Sequence, residues 1–246
     1  MKSKHIIIYG GSSLISRELF KILTQEYNQF TIFCRKRNIV EEYINEIKTE
    51  NLKINIYETD LLDLEKNFSF IEKLENNISG LIWISGLTGK PDEELLDPIK
   101  CETIIRINFL NPVLCINKII PKIETGKNSF IVALTSVAGL RGRSKQLFYS
   151  SAKSGFIAYL SGLRQKLFTK KINVITVIPG YMKTKAFEAG GWKAPFFLIS
   201  SSKKSAQIIN KAIESKKEIV YINFFWRIIM FFISLIPEKI FKKFKF

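Results

Sequence analysis

The chain has 246 residues, 46% of them hydrophobic, and 38 Lys+Arg against 22 Asp+Glu give a formal net charge of +16. That size and apolar content can bury one sizeable core without division into domains, while the charge suits nucleic acid, anionic lipid or a phosphorylated ligand and chooses none of them. Cys34, Cys101 and Cys115 lack any C-x-x-C spacing, which excludes a disulfide framework and a cysteine zinc site and fits a reducing cytosol.

In chain order, "HIIIY" reads as a first strand rather than the apolar core of a signal peptide. An amphipathic stretch over 14–27 follows, then "FTIFC", a second amphipathic stretch over 39–48, "KINIYE", "GLIWIS" and "SFIVALTS". Short β-rich runs alternating with helical periodicity are βαβ punctuation. Strands apolar at nearly every position belong in a parallel sheet covered by helices on both faces, a doubly wound Rossmann-type α/β fold.

After Tyr149, the apolar residues Ala152, Phe156, Tyr159, Leu160, Leu163 and Leu167 recur at threes and fours, as on a packed helix face. "KINVITVIPG" reads as the next strand, 181–202 as a loop rich in aromatics, 203–216 as a helix and "EIVYIN" as a strand. No repeat or linker interrupts the pattern. The expected organisation is one Rossmann-type domain over 1–223 and an apolar, basic, membrane-associating helix over 224–246.

"IIIYGGSSLISREL" joins a strand to a helix through glycines, the arrangement in which backbone N–H groups and a helix N-terminus receive a pyrophosphate. Gly10 meets the need for a tight turn, but Leu14 and Ser16 stand where a full dinucleotide fingerprint has its other two glycines. Ser12 and Ser13 are equally compatible with an ordinary capped βα turn. At the end of the second strand, Arg35, Lys36 and Arg37 occupy the place where an acid would accept from a ribose 2′-hydroxyl, and cations there favour the 2′-phosphate of NADPH over NADH. Asp60, just after the third strand, can accept from an adenine amino group.

Tyr149 and Lys153 are spaced to share a helix face, so an ammonium can lie near a phenol whose ordinary pKa is ~10 and draw that value down. The spacing alone says little, since Tyr181 also has Lys185 four residues on. What separates the pairs is Ser136, thirteen residues before Tyr149 at the end of an apolar strand, and Asn108 on the long preceding helix. A hydroxyl at a strand's carboxyl end can donate to a developing alkoxide, which is where ligands lie in open α/β sheets. The only histidine, His5, lies in the first strand. No metal site is indicated.

Taken together, "YGGSSLIS", Asp60, "WISG", Asn108, Ser136, "YSSAK" and "PGYMKT" resemble the short-chain dehydrogenase/reductase family across nearly the whole chain. The resemblance implies Tyr149 as proton donor and acceptor, and Ser136 as the group orienting the substrate oxygen. Lys153 would lower the phenol's pKa and hold the nicotinamide ribose, and Asn108 would support a water relay. NADP would be the cofactor, NADPH preferred over NADH, bound by Gly10, Ser12, Ser13, Ile15, Arg35, Asp60, Gly86, Tyr149, Lys153, Pro179, Gly180 and Thr184. Leu14, Ser16, the "WISGLTG" segment and the C-terminus look less like fatty-acyl or steroid reductases than like decaprenylphosphoryl-2-keto-erythro-pentofuranose reductases. Those act on a lipid-linked keto-sugar after a partner oxidase. Self-association is implied through the helices around Asn108 and Tyr149.

The tail "FFWRIIMFFISLIPEKIFKKFKF" is short for a membrane span and suits either a helix lying in the interface, with Lys239, Lys242, Lys243 and Lys245 on anionic headgroups, or a helix packed on protein. Phe187, Trp192, Phe196 and Phe197 suit stacking on a sugar ring or lipid, or plain packing. The leading expectation is an NADPH-dependent ketoreductase at the cytoplasmic face of the membrane. A ketone/alcohol oxidoreductase acting on a soluble substrate and an idle NADPH-binding membrane scaffold are the alternatives. Nucleic-acid binding is not expected, because the lysines are dispersed and no aromatic-interleaved basic patch occurs.

Overall fold

A computed structural model describes residues 4–47, 52–88, 97–126, 128–183 and 194–244. The elements run β1 (His5–Tyr9), α1 (Leu14–Leu23), β2 (Gln29–Cys34), α2 (Arg37–Glu46), β3 (Lys53–Glu58), α3 (Leu64–Glu72), β4 (Ile78–Trp83), α4 (Pro98–Ile105), α5 (Asn111–Ile119), β5 (Phe130–Leu134), α6 (Leu147–Leu167) and β6 (Asn173–Ile178). They continue with β7 (Tyr181–Met182), β8 (Ile199–Ser200), α7 (Ser202–Glu214), β9 (Ile219–Tyr221), α8 (Phe224–Leu235) and α9 (Glu238–Phe241).

Seven strands form one parallel sheet in the order β3-β2-β1-β4-β5-β6-β9. Side chains alternate across it. Ile6 and Ile8 enter a core with Leu19, Phe20, Ile32, Val132, Ile175 and Ile209, beneath α1 and α7, while Ile7 and Tyr9 enter another with Trp83, Ile116, Phe156 and Leu160, beneath α5 and α6. This is the doubly wound fold expected from near-continuous apolar strands. The edge strand β3 is the exception, with Lys53, Asn55 and Glu58 exposed, as an edge facing water allows.

Sequence boundaries shift by a few residues. The first helix ends at Leu23, where Thr24 caps it, and the last strand keeps only three residues, Ile219–Tyr221. The expected loop over 181–202 contains a short second sheet, in which β7 and β8 pair in parallel. Tyr181 therefore lies in a strand, and Lys185 lies outside the described residues.

His5 is buried and hydrogen-bonded to the Thr31 hydroxyl at 2.9 Å, and burial lowers its pKa to about 4. It sits at the amino end of β1, and ligands in such sheets bind at the carboxyl end.

Pro98–Lys122 is long and apolar enough to cross a membrane by composition, but Ile107, Cys115, Ile116 and Ile119 pack it against the sheet. Within it, Arg106–Leu110 forms a π-turn. Pro112 has no N–H to give to the Asn108 carbonyl, as an α-helix would require, and the chain widens there instead.

α8 is built into the domain along one face. Trp226 and Met230 are buried with Val137 and Ile178, and the Trp226 indole N–H donates to the Leu198 carbonyl at 3.0 Å. Gly180 makes this contact possible, since a Cβ there would lie 1.9 Å from Trp226 Nε1.

Candidate active site

The carboxyl ends of the strands open into a crevice at the point where strand order reverses between β1 and β4. One cavity of about 210 Å³ is lined by Gly10, Ser12, Ser13, Arg35, Thr59, Asp60, Ser85 and Gly86 among others. A second, of about 330 Å³, shares Ser13, Ile84, Gly86 and Leu87 with it and adds Ile15, Ser136, Arg143, Tyr149, Lys153, Pro179 and Gly180. Every expected site residue in the described chain except Asn108 therefore lines one continuous crevice, and Asn108 lies directly behind Gly86. Thr184, Phe187 and Trp192 lie outside the described residues.

The glycine turn is shaped by contact. Gly10 has φ +95, and a Cβ on it would meet Ser85 N at 2.8 Å, so only glycine lets β1 turn this close to β4. Ser13 caps α1, accepting from Ile15 N at 3.2 Å and Ser16 N at 3.3 Å. Ser16, in a place expected to need glycine, is buried and donates to the Gly10 carbonyl at 2.8 Å, which stiffens the turn. Leu14 does not stand in the crevice. Its side chain is 48% exposed and lines neither cavity, whereas Gly10, Ser12 and Ser13 line the first.

The three cations after β2 diverge. Arg37 pairs with Glu41 at 2.6 Å and donates to the Ile56 carbonyl at 3.2 Å. The Lys36 carbonyl accepts from Ser12 Oγ at 3.2 Å. Arg35 lines the crevice, and no described residue pairs with it. Asp60 accepts from Leu62 N at 2.9 Å, while Asn67, which the sequence reading passed over, ties the turn by donating to the Asp60 carbonyl at 2.7 Å.

Tyr149, Lys153 and Asn108 are buried, at 9%, 3% and 1% exposure. Ser136 ends the β5 turn, its Oγ accepting from Ala138 N at 3.1 Å, and its side chain hydrogen-bonds the Tyr149 phenol. Asn108 clasps the strand end opposite, donating to Leu87 O at 2.7 Å and Ile104 O at 2.9 Å and accepting from Leu87 N at 3.1 Å. Lys153 Nζ donates to Leu134 O at 3.3 Å and lies 5.8 Å from the Tyr149 ring centroid. A Cβ on Gly86 would crowd Asn108 Oδ1 at 3.0 Å and Lys153 Nζ at 3.2 Å.

The electrostatics correct one expectation. Burial pushes the Tyr149 phenol above its ordinary value, and the opposing influences are the Ser136 hydrogen bond and the charge of Arg143, not Lys153. Lys153 is itself driven down to about 8 by burial, and it faces the Leu134 carbonyl and the phenol ring. The Arg143 contribution was missed in sequence. Its only signal was a basic loop, "GLRGRSK", ahead of Tyr149.

Residues 4–191 match the short chain dehydrogenase family, and the chain belongs to it. A 3-oxoacyl-[acyl-carrier-protein] reductase of Bos taurus is 24% identical over 180 residues, 72% of this chain and 75% of that protein. Among solved structures, a short chain dehydrogenase from Burkholderia cenocepacia in complex with NADP superposes with a TM-score of 0.81 at 16% identity, covering 98% of this chain and 97% of that one. A 3-oxoacyl-[acyl-carrier protein] reductase from Brucella melitensis in complex with NAD gives 0.77 at 17% identity, covering 91% and 96%. The protein is thus an NAD(P)-dependent oxidoreductase of the short-chain type, acting on CH–OH or ketone groups.

The buried lysine carries a stability signature. Its pKa falls from 10.5 unfolded to about 8 folded, so between those values the unfolded chain holds more protons and stability rises with pH. Below pH 8 the charge burial costs up to about 3 kcal/mol. Lys153→Met should therefore raise the Tm of the ligand-free protein by several degrees at pH 7, with the difference shrinking between pH 8 and 10.5. A pH series of thermal melts on both proteins checks this.

Proposed function

We propose that this chain is an NADPH-dependent ketoreductase acting on a lipid-linked keto-sugar of cell-envelope polysaccharide synthesis, held at the cytoplasmic face of the membrane. The observation that carries the reaction is the convergence of Ser136, Tyr149 and Lys153 on one cavity with Asn108 behind it.

The crevice fits an NADP cofactor on its own geometry. Gly10 and Gly86 line it at positions where the neighbouring chain leaves no room for a Cβ, so backbone rather than side chain faces the cavity, and Ser12 and Ser13 line the same cavity beside them. Gly10, Ser12, Ser13 and Ile15 would hold the pyrophosphate, Asp60 the adenine, and Lys153 and Tyr149 the nicotinamide ribose. Gly86, Pro179, Gly180 and Thr184 would flank the nicotinamide. The Arg35 guanidinium, which pairs with no described residue, supports a 2′-phosphate over a 2′-hydroxyl, because a charge-assisted fork of hydrogen bonds rewards the extra anion. The cofactor supplies the hydride.

The chain's own residues handle the proton. Tyr149, kept neutral by burial, has a proton to give to a carbonyl oxygen near pH 7. Ser136 donates to the same oxygen and fixes its direction. Lys153 lends positive charge as the phenol becomes phenolate, and Asn108 orders the loop after β4 through which the proton is replaced. In reduction Tyr149 is the acid, so Tyr149→Phe should lower kcat by about 100- to 10,000-fold while weakening NADPH by no more than the roughly tenfold that one lost ribose hydrogen bond costs. Undiminished turnover would remove Tyr149 from this role.

The C-terminal helix supports the membrane part of the proposal. Phe224, Ile228, Phe231 and Leu235 recur at helical spacing and are 40% to 65% exposed, a stripe left over after Trp226 and Met230 are buried. Lys239, Lys242 and Lys243 follow it. An apolar face with a basic flank suits the headgroup boundary of an anionic bilayer. In flotation with phosphatidylglycerol vesicles the protein should rise with the lipid, and Phe231→Ser/Leu235→Ser should stay at the bottom. Equal behaviour of the two proteins would count against the helix as the contact.

A further inference from the structure

Next to the substrate cavity lies another of about 270 Å³ whose two walls differ in kind. One wall is the loop before α6, contributing Arg141, Arg143, Lys145 and Gln146; the other is apolar, made by Leu198, Trp226, Ile229, Met230, Ile233 and Phe241. The cavities share Arg143, Gln146 and Tyr181 as a common boundary.

The three cations of the loop are not equivalent. Arg141 is a strap: it pairs with Glu238 at 2.7 Å, donates to the Ile236 carbonyl at 3.1 Å and lies 4.3 Å over the Phe241 ring, fastening α9 across the cavity's far end. Arg143 and Lys145 have no described carboxylate partner, and no acidic residue is among the described lining. A half-buried guanidinium beside an ammonium, facing an apolar wall, is an arrangement that attracts an anion carrying a hydrocarbon chain: a phosphate satisfies the guanidinium fork and the ammonium together, and the chain satisfies the wall.

We propose that this cavity is a substrate subsite in which Arg143 and Lys145 bind the phosphate of a phosphorylated, apolar-chain ketone, the first carbons of the chain lying along Trp226, Ile229 and Ile233. The proposal rests on the ketoreductase reading for the position of the carbonyl, on the Tyr149 side of Arg143. It makes Arg143 a residue with two duties, holding the substrate's anion while its charge acts on the Tyr149 phenol. The same helix that walls the cavity presents its exposed stripe outward, so a chain leaving the subsite along α8 has a short path to a bilayer.

The test uses the full-length protein saturated with NADP⁺ and three probes: farnesyl phosphate, farnesol and inorganic phosphate, followed by titration calorimetry below the lipids' aggregation concentrations. Farnesyl phosphate should bind at least tenfold more tightly than either of the others. Arg143→Gln/Lys145→Gln should erase that preference, bringing farnesyl phosphate down to the level of farnesol. Ile233→Trp, which fills the cavity without touching a charge, should weaken farnesyl phosphate tenfold or more. Equal affinity for farnesyl phosphate and farnesol, or an unaltered preference in the double variant, overturns the subsite. The NADP⁺ titration that precedes each run separates the two readings, because absent NADP⁺ binding counts against the reductase, whereas NADP⁺ binding without a phosphate preference counts against the subsite alone.

Discussion

The contact on which the site depends is between two backbones. Gly139, in the turn that follows β5, rests against the main chain of α6 at Lys153, where a Cβ would come within 2.7 Å of the Lys153 carbonyl carbon. Without that closeness the turn would ride higher on the helix, and Ser136 would lose its hydrogen bond to a phenol one turn away on the same helix. The turn is tied from the other side as well: Thr135 N and Val137 N donate to the carbonyls of Val177 and Pro179 at 2.8 and 3.0 Å. The hydroxyl, the phenol and the loop carrying Pro179 and Gly180 are thus one unit, fastened by main-chain contacts that a side-chain substitution elsewhere would not loosen.

Burial is the second constraint. It holds the Tyr149 phenol protonated and drives the Lys153 ammonium toward neutrality at the same time, so the pair does not tune itself in the ligand-free state. Ser136 and Arg143 supply the opposing influence, and Lys153 is held instead by the Leu134 carbonyl. A cost of this kind is tolerated where a bound ligand and a transferred proton use the stored charge.

Much of this was legible in the sequence. The apolar strands announced a parallel sheet because each is covered on both faces, and Ser136, Tyr149 and Lys153 could be grouped because a strand end and a helix face have fixed periodicities. Other features were hidden for physical reasons. Leu14 counted as a missing glycine because a motif counts positions and not directions; its side chain is half exposed and lines neither cavity. Arg35 could not be separated from Arg37 until α2 placed Glu41 beside the latter. The widening of the helix at Asn108 had a signal in Pro112, but the consequence for Asn108 is a matter of which carbonyl loses its donor. The role of α8 was open between lipid and protein, and the two faces of the helix explain why: Trp226 and Met230 are core, whereas Phe224, Ile228, Phe231 and Leu235 are not.

The central claim is that a neutral, buried phenol at position 149, steadied by Ser136, delivers the proton in ketone reduction. The most direct measurement is the pH dependence of kcat with saturating NADPH, from pH 6 to 11, for the wild type and Ser136→Ala. A plateau through neutrality followed by an alkaline fall, displaced to higher pH when the Ser136 hydrogen bond is removed, is the result this account predicts. A rate indifferent to pH across that range, or an alkaline limb that Ser136→Ala leaves in place, would contradict it.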